Sequence, residues 1–162
     1  MWKDSGFVLE KADVPTAMQH LNRFMEEIPG RYRALGIDVL RQRPAPGKWS
    51  KQEILGHLID SALNNLKRFT DIQALPQPYQ VQRYQQDALV MINDYQQLPL
   101  EHLLTTWQAL NRQIVYLVDR IPPAKLSQLL LLPPAATETK TLEWLIIDYV
   151  LHMEHHWRQV FR

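Results

Sequence analysis

His152 and His156 stand four residues apart near the end of the sequence. On an α-helix that spacing stacks two side chains on one side, so both imidazoles can converge on a single ion, as paired helical histidines do in metalloproteases. His155 falls about 60° from His152 on a helical wheel, on the side away from His156, which places it outside a shared coordination shell. Histidines near a helix end also suit a simpler role, capping or solvation beside the last carbonyls. A bundle site draws further ligands from a facing helix, and His57 is the matching candidate. It follows Gly56, which adds no bulk, and divides Ile54 and Leu58 from Glu53, Asp60, Asn64 and Arg68 on the wheel. Taken alone, such a boundary histidine is more often a hydrogen-bonded structural residue than a ligand. Three neutral imidazoles together leave coordination positions open, which is the ligand set of a catalytic metal site, and they suit Zn²⁺ and Ni²⁺ alike.

Other polar residues fall around the same faces. Asp60, one turn from His57, and Asp148, one turn before His152, are placed to accept from the imidazoles, or to take a proton during catalysis. Either is equally a solvated helix acid. Asn64, Arg68 and Tyr149 are candidates to line the open side of the ion and bind a cofactor, set against packing for Tyr149 and surface pairing for Arg68. His20 and His102 lack partners at metal-ligand spacing and are assigned to the surface. Trp49, just before the cap of the helix that carries His57, is assigned a structural role as a hydrophobic staple. No glycine-rich phosphate loop and no serine nucleophile elbow is present.

The elements that must position these residues are helical. The 162 residues match one domain, 1–162, and only five are glycine, while apolar residues recur at three- and four-residue steps. Prolines punctuate the pattern at Pro44, Pro46, Pro99, Pro122-Pro123 and Pro133-Pro134. The spacing predicts an all-α chain with four main helices. The first runs from about residue 16 toward residue 35, with Ala17, Leu21, Phe24 and Ile28 inward and a kink or break at Pro29-Gly30. The second spans about 51–74 behind the capping box Ser50-Lys51-Gln52-Glu53. A shorter helical stretch lies between residues 84 and 97. The third main helix opens at Pro99 and lasts to about residue 120, burying Leu103, Trp107, Leu110, Ile114 and Leu117. After a linker containing the apolar run 129–132, the last starts at Thr141. A small four-helix bundle is the economical architecture, and the linker is long enough for one crossover.

Composition narrows the chemistry. With 18 Lys and Arg against 17 Asp and Glu, the net charge of +1 gives no reason to expect nucleic acid or an anionic membrane as partner. The chain contains no cysteine, so a protein thiolate, a disulfide and cysteine-ligated metal are excluded. Residues 1–6 carry no signal-peptide run and no apolar span is long enough for a bilayer, so a cytoplasmic protein is expected.

The segments Pro46-Gly47-Lys48-Trp49-Ser50-Lys51-Gln52-Glu53-Ile54-Leu55-Gly56-His57-Leu58-Ile59-Asp60-Ser61-Ala62 and Tyr149-Val150-Leu151-His152-Met153-Glu154-His155-His156 resemble the two signature helices of the DinB/YfiT-like superfamily. The likeness extends to Tyr84-Gln85-Gln86-Asp87 and Trp107-Gln108-Ala109-Leu110-Asn111-Arg112. It implies a four-helix bundle of up-down-down-up connectivity, with a divalent metal on His57, His152 and His156. Members include low-molecular-weight-thiol S-transferases, a thiol-dependent maleylpyruvate isomerase and proteins described as metal-dependent hydrolases, and dimers are common among them. The resemblance therefore implies a metal-dependent transferase or hydrolase, in a homodimer; such an enzyme is expected to act on an electrophilic small molecule, with Asp60 or a metal-bound hydroxide accepting the proton. Any thiol would arrive as a small molecule. The alternative is a bundle that carries a metal or small ligand without turnover.

Overall fold

The computed structural model describes residues 13–132 and 139–162. The expected boundary at Pro133-Pro134 and the terminus at residues 1–6 lie outside them. Six helices are found among the described residues: α1 (Val14–Arg33), α2 (Ile37–Arg41), α3 (Lys51–Ala74), α4 (Gln86–Ile92), α5 (Leu100–Val118) and α6 (Leu142–Val160). The four long ones form the bundle: α3 packs on α5 and α6, and α1 closes the ring against the same two. Among the described residues, no helix is long and apolar enough to cross a membrane.

The helix starts follow their caps. Ser50 Oγ accepts from Glu53 N at 3.1 Å while the Glu53 carboxylate accepts from Ser50 N at 2.8 Å, the reciprocal arrangement that opens α3 at Lys51. Thr141 Oγ1 accepts from Trp144 N at 3.1 Å and opens α6 at Leu142. In α1 the expected break at Pro29 does not occur, and the helix continues to Arg33. A proline cannot bond the carbonyl four residues back, here that of Met25. Gln108 Nε2 of α5 donates to Met25 O at 2.9 Å, so the orphaned acceptor is satisfied from the neighbouring helix.

A small sheet is the addition that helical periodicity did not predict. β1 (Tyr79–Gln80) pairs in parallel with β2 (Leu129–Leu131), which pairs antiparallel with β3 (Thr139–Thr141). The apolar run expected as linker therefore supplies the central strand, with Leu130 wholly buried. β3 runs straight into α6, so the sheet sets where the last helix begins.

Positions 52 to 62 of α3 are all buried, because α2, α4, α5 and α6 surround them. One stripe of this segment clamps the connection between α4 and α5. Gln52 Nε2 lies 2.8, 3.1 and 2.9 Å from the carbonyls of Tyr95, Gln96 and Leu98. One turn on, Gly56 lets the Tyr95 ring lie against the helix, and a Cβ there would sit 2.2 Å from ring carbons. One turn further, Asp60 accepts from Tyr95 Oη at 2.6 Å. Gly56→Ala is expected to cost about 1–3 kcal/mol through overpacking. Gly30→Ala, whose Cβ meets nothing within 4 Å in the interior of α1, should instead gain up to about 1 kcal/mol from helix propensity. Urea midpoints of the two variants check the contrast.

Candidate metal centre

The fold brings His57 of α3 against His152 and His156 of α6. Their ring centroids lie 5.3, 4.8 and 4.6 Å apart for the 57–152, 57–156 and 152–156 pairs. One nitrogen of each, taken together, lies within 4.8 Å of the others, and Nε2 of His57 is 3.1 Å from Nε2 of His152. Nitrogens bound at about 2.0–2.1 Å to one tetrahedral ion stand roughly 3.4 Å apart, so donor atoms gathered within 4.8 Å of one another are close enough to share an ion.

A hydrogen bond orients the His156 ring. Nδ1 of His156 is 3.0 Å from Gln159 Oε1, which assigns the proton to Nδ1 and leaves the Nε2 lone pair for an ion. Gln159 Nε2 in turn lies 2.9 Å from His155 Nε2. His155 thus stays outside the cluster, as expected, and anchors the glutamine that orients a ligand. Trp49 stacks on His57 at 4.7 Å with the planes 34° apart, shielding that imidazole. Its role extends beyond the helix staple assigned from sequence.

Burial and the neighbouring imidazoles hold His57 down to about 3, from an ordinary 6.5. Burial first, then His156 and His155, hold His152 down to about 4, and burial holds His156 down to about 4 against the opposing hydrogen bond to Gln159, with His155 adding to the depression. The uncharged form that these surroundings favour is the form that ligates metal. Buried lone pairs and an uncharged donor set fit a divalent transition ion.

Two cavities reach the cluster and share no lining residue. One, of about 930 Å³, is lined by His156, Gln159, Trp49, Lys48, Ile54 and Asp87 among others. The second, of about 520 Å³, is lined by His152, Arg68, Tyr84, Asp148 and Tyr149. The other sequence candidates divide accordingly. Arg68 and Tyr149 line the second cavity, with Tyr149 Oη donating to Asn111 Oδ1 at 2.6 Å. Asn64 turns back on its own helix, its amide 2.8 Å from Asp60 O, and lines neither cavity. Asn65 and Ser61 line the second one in its place. Asp60 lines neither; Tyr95 Oη and Asn93 Nδ2 occupy its Oδ1 at 2.6 and 3.2 Å, and its Oδ2 is buried without a partner. Burial raises the Asp60 pKa against the opposing effect of those two hydrogen bonds.

Two measurements follow from this geometry. His57→Ala, His152→Ala and His156→Ala should each lose bound metal by elemental analysis, whereas His155→Ala should retain one ion per chain. In metal-free protein the three imidazoles bind protons less readily folded than unfolded, so unfolding takes up protons. Stability should therefore fall as pH drops from about 6.5 toward about 4, by up to about 1.4 kcal/mol per pH unit for each titrating imidazole. Denaturant titrations across that range, with and without metal, read the slope, and bound metal, which keeps protons off the same nitrogens, should raise stability without removing the slope.

The DinB superfamily pattern matches residues 18–160. YfiT from Bacillus subtilis, described as a probable metal-dependent hydrolase with an unusual four-helix bundle topology, superposes with a TM-score of 0.81 at 20% identity, covering 98% of this chain and 87% of YfiT. A Streptococcus pneumoniae structure superposes with a TM-score of 0.61 at 12% identity, covering 93% of each chain. No curated protein matches the sequence. With helical bundle, histidine cluster and matched span in agreement, the chain belongs to the DinB superfamily.

Proposed function

We propose that this protein is a metal-dependent enzyme that joins a low-molecular-weight thiol to an electrophilic small molecule, with Zn²⁺ or Ni²⁺ held by His57, His152 and His156. The observation that carries this reading is the pair of separate cavities at the triad, one reached past His156 and the other past His152. A hydrolase needs room for one organic substrate and a water, whereas a transferase needs room for two organic reactants.

The residues divide the work. The three imidazoles hold the ion, and Trp49 covers one face of the His57 ring. The ion supplies Lewis acidity, which lowers the pKa of a thiol at an open position so that the nucleophile is available at neutral pH. Asp60 lines neither cavity and its Oδ2 is buried, so the displaced proton reaches it by relay and not by direct contact with the thiol; Oδ2 is the oxygen that Tyr95 and Asn93 leave free to take it. Trp49 and Ile54 give the larger cavity an apolar wall suited to the electrophile, and Arg68 and Tyr149 give the smaller one polar groups suited to the thiol's remainder. Hydrolysis is the second reading, supported by the description of YfiT.

The test starts from elemental analysis of untagged protein, followed by conjugation assays pairing cellular thiols with aryl halides and α,β-unsaturated carbonyls. Metal-dependent conjugation, abolished in His152→Ala, is the expected result. Asp60→Asn should keep the metal and lower kcat by about 10²- to 10⁴-fold, the usual range for loss of a proton acceptor. Turnover of ester or amide panels without conjugation would favour the hydrolase. Absence of both activities in metal-loaded protein would favour a binding bundle and overturn the enzyme reading.

A further inference from the structure

The cavity beside His152 is lined by three charged residues that ion binding does not use, of which Arg83 is exposed. Arg68 of α3 and Asp148 of α6 both line it. Arg68 is half-buried; its Nη2 donates to Gln82 O at 2.7 Å, its Nη1 makes only a 3.4 Å contact to Asn65 Oδ1, and its guanidinium carbon lies 5.5 Å from the Tyr84 ring centre. No carboxylate among the described residues lies within ion-pair distance of it. Asp148 is likewise half-buried, one turn before His152, and accepts no side-chain hydrogen bond among the described residues. The two groups sense each other electrostatically yet remain too far apart to pair. The half-buried part of the cavity therefore holds one positive and one negative group, each partly desolvated and neither paired, with Arg83 exposed at the same cavity.

Partial desolvation of an unpaired charge is costly, and a ligand bearing the complementary pair offsets it at both walls. A planar carboxylate matches the guanidinium fork, and an ammonium matches a carboxylate. We propose that this cavity is a subsite for an α-amino-acid headgroup, with Arg68 taking the carboxylate and Asp148 the ammonium of a small molecule whose sulfur reaches the triad beside His152. The proposal deepens the thiol reading above and rests on it for the sulfur. A thiol lacking either charge leaves one wall unpaired, and that is the source of selectivity.

The experiment titrates thiols into Co²⁺-loaded protein and reads the sulfur-to-cobalt charge-transfer absorption, which reports ligation without turnover. L-Cysteine and glutathione carry the headgroup at two distances from sulfur; cysteamine carries only the amine, 3-mercaptopropionate only the carboxylate, and 2-mercaptoethanol neither. At least one headgroup thiol should bind about tenfold or more tighter than 2-mercaptoethanol. Arg68→Gln should erase its advantage over cysteamine, and Asp148→Asn its advantage over 3-mercaptopropionate, with one Co²⁺ per chain retained in both. Equal affinities across the panel, or an advantage that survives both substitutions, would overturn the subsite. Calorimetry with S-methylglutathione and S-methyl-L-cysteine on the same protein separates the two readings, because these probes keep the headgroup without an ionisable thiol. If no thiol gives the absorption but these probes bind and weaken in both variants, the thiol reading fails and the subsite stands. If these probes also fail to bind, both readings fall.

Discussion

Three uncharged imidazoles with their lone pairs gathered in one place are the constraint around which the rest of the molecule is arranged. Nε2 of His57 and Nε2 of His152 lie 3.1 Å apart, and at such separations imidazolium charges would repel strongly in a poorly solvated site. A shared cation removes that conflict and uses the lone pairs at once. The arrangement requires two helices far apart in sequence to meet in a defined rotation. For α3, the Ser50–Glu53 capping box sets where the helix starts, and Trp49 just outside it rests on the His57 ring. For α6, strand β3 runs into the Thr141 cap, eleven residues before His152.

Helix α3 is unusual in burying polar side chains along its most enclosed stretch. Gln52, Glu53, His57, Asp60, Ser61 and Asn65 are all buried. Buried polar groups persist where they find partners, and most of these do. Gln52 holds the α4–α5 connection, Glu53 pairs with Arg43 and its own cap, and Asp60 receives Tyr95 and Asn93. The exceptions are Oε1 of Gln52, Nδ1 of His57 and Oδ2 of Asp60, all on the same buried stretch of α3. The stripe Gln52, Gly56, Asp60 joins stability to function, because the contacts that fasten the α4–α5 connection also hold the carboxylate proposed as proton acceptor.

Much of the architecture was legible in local chemistry. The capping box placed α3 at 51–74, and Thr141 placed the start of α6, because a side-chain oxygen satisfying free amides is a signal contained in four residues. The H-x-x-x-H pair was legible because helical geometry alone puts positions four apart on one side. The short sheet was not, since strands of two or three residues carry no alternation and depend on partners about fifty residues away. Continuity through Pro29 was hidden for a related reason: the group that satisfies Met25 O belongs to α5.

The lining of the smaller cavity shows the same division. Arg68 and Tyr149 were placed by their helical faces, but the choice between Asn64 and Asn65 depended on a difference of about 100° in direction, smaller than the uncertainty of an unpacked helix. Gln159 gave no signal as a positioning residue, because its importance comes from standing between His156 and His155. Asp148 and Arg68 were visible singly, while their separation across one cavity, close enough to interact and too far to pair, appears only once α3 and α6 are packed. The sequence by itself determined which residues share a helical face, because rise and rotation per residue are local. The tertiary structure decided which faces meet, which charges are stripped of water and where space remains for a ligand, because those depend on side chains that close on one another from distant parts of the chain.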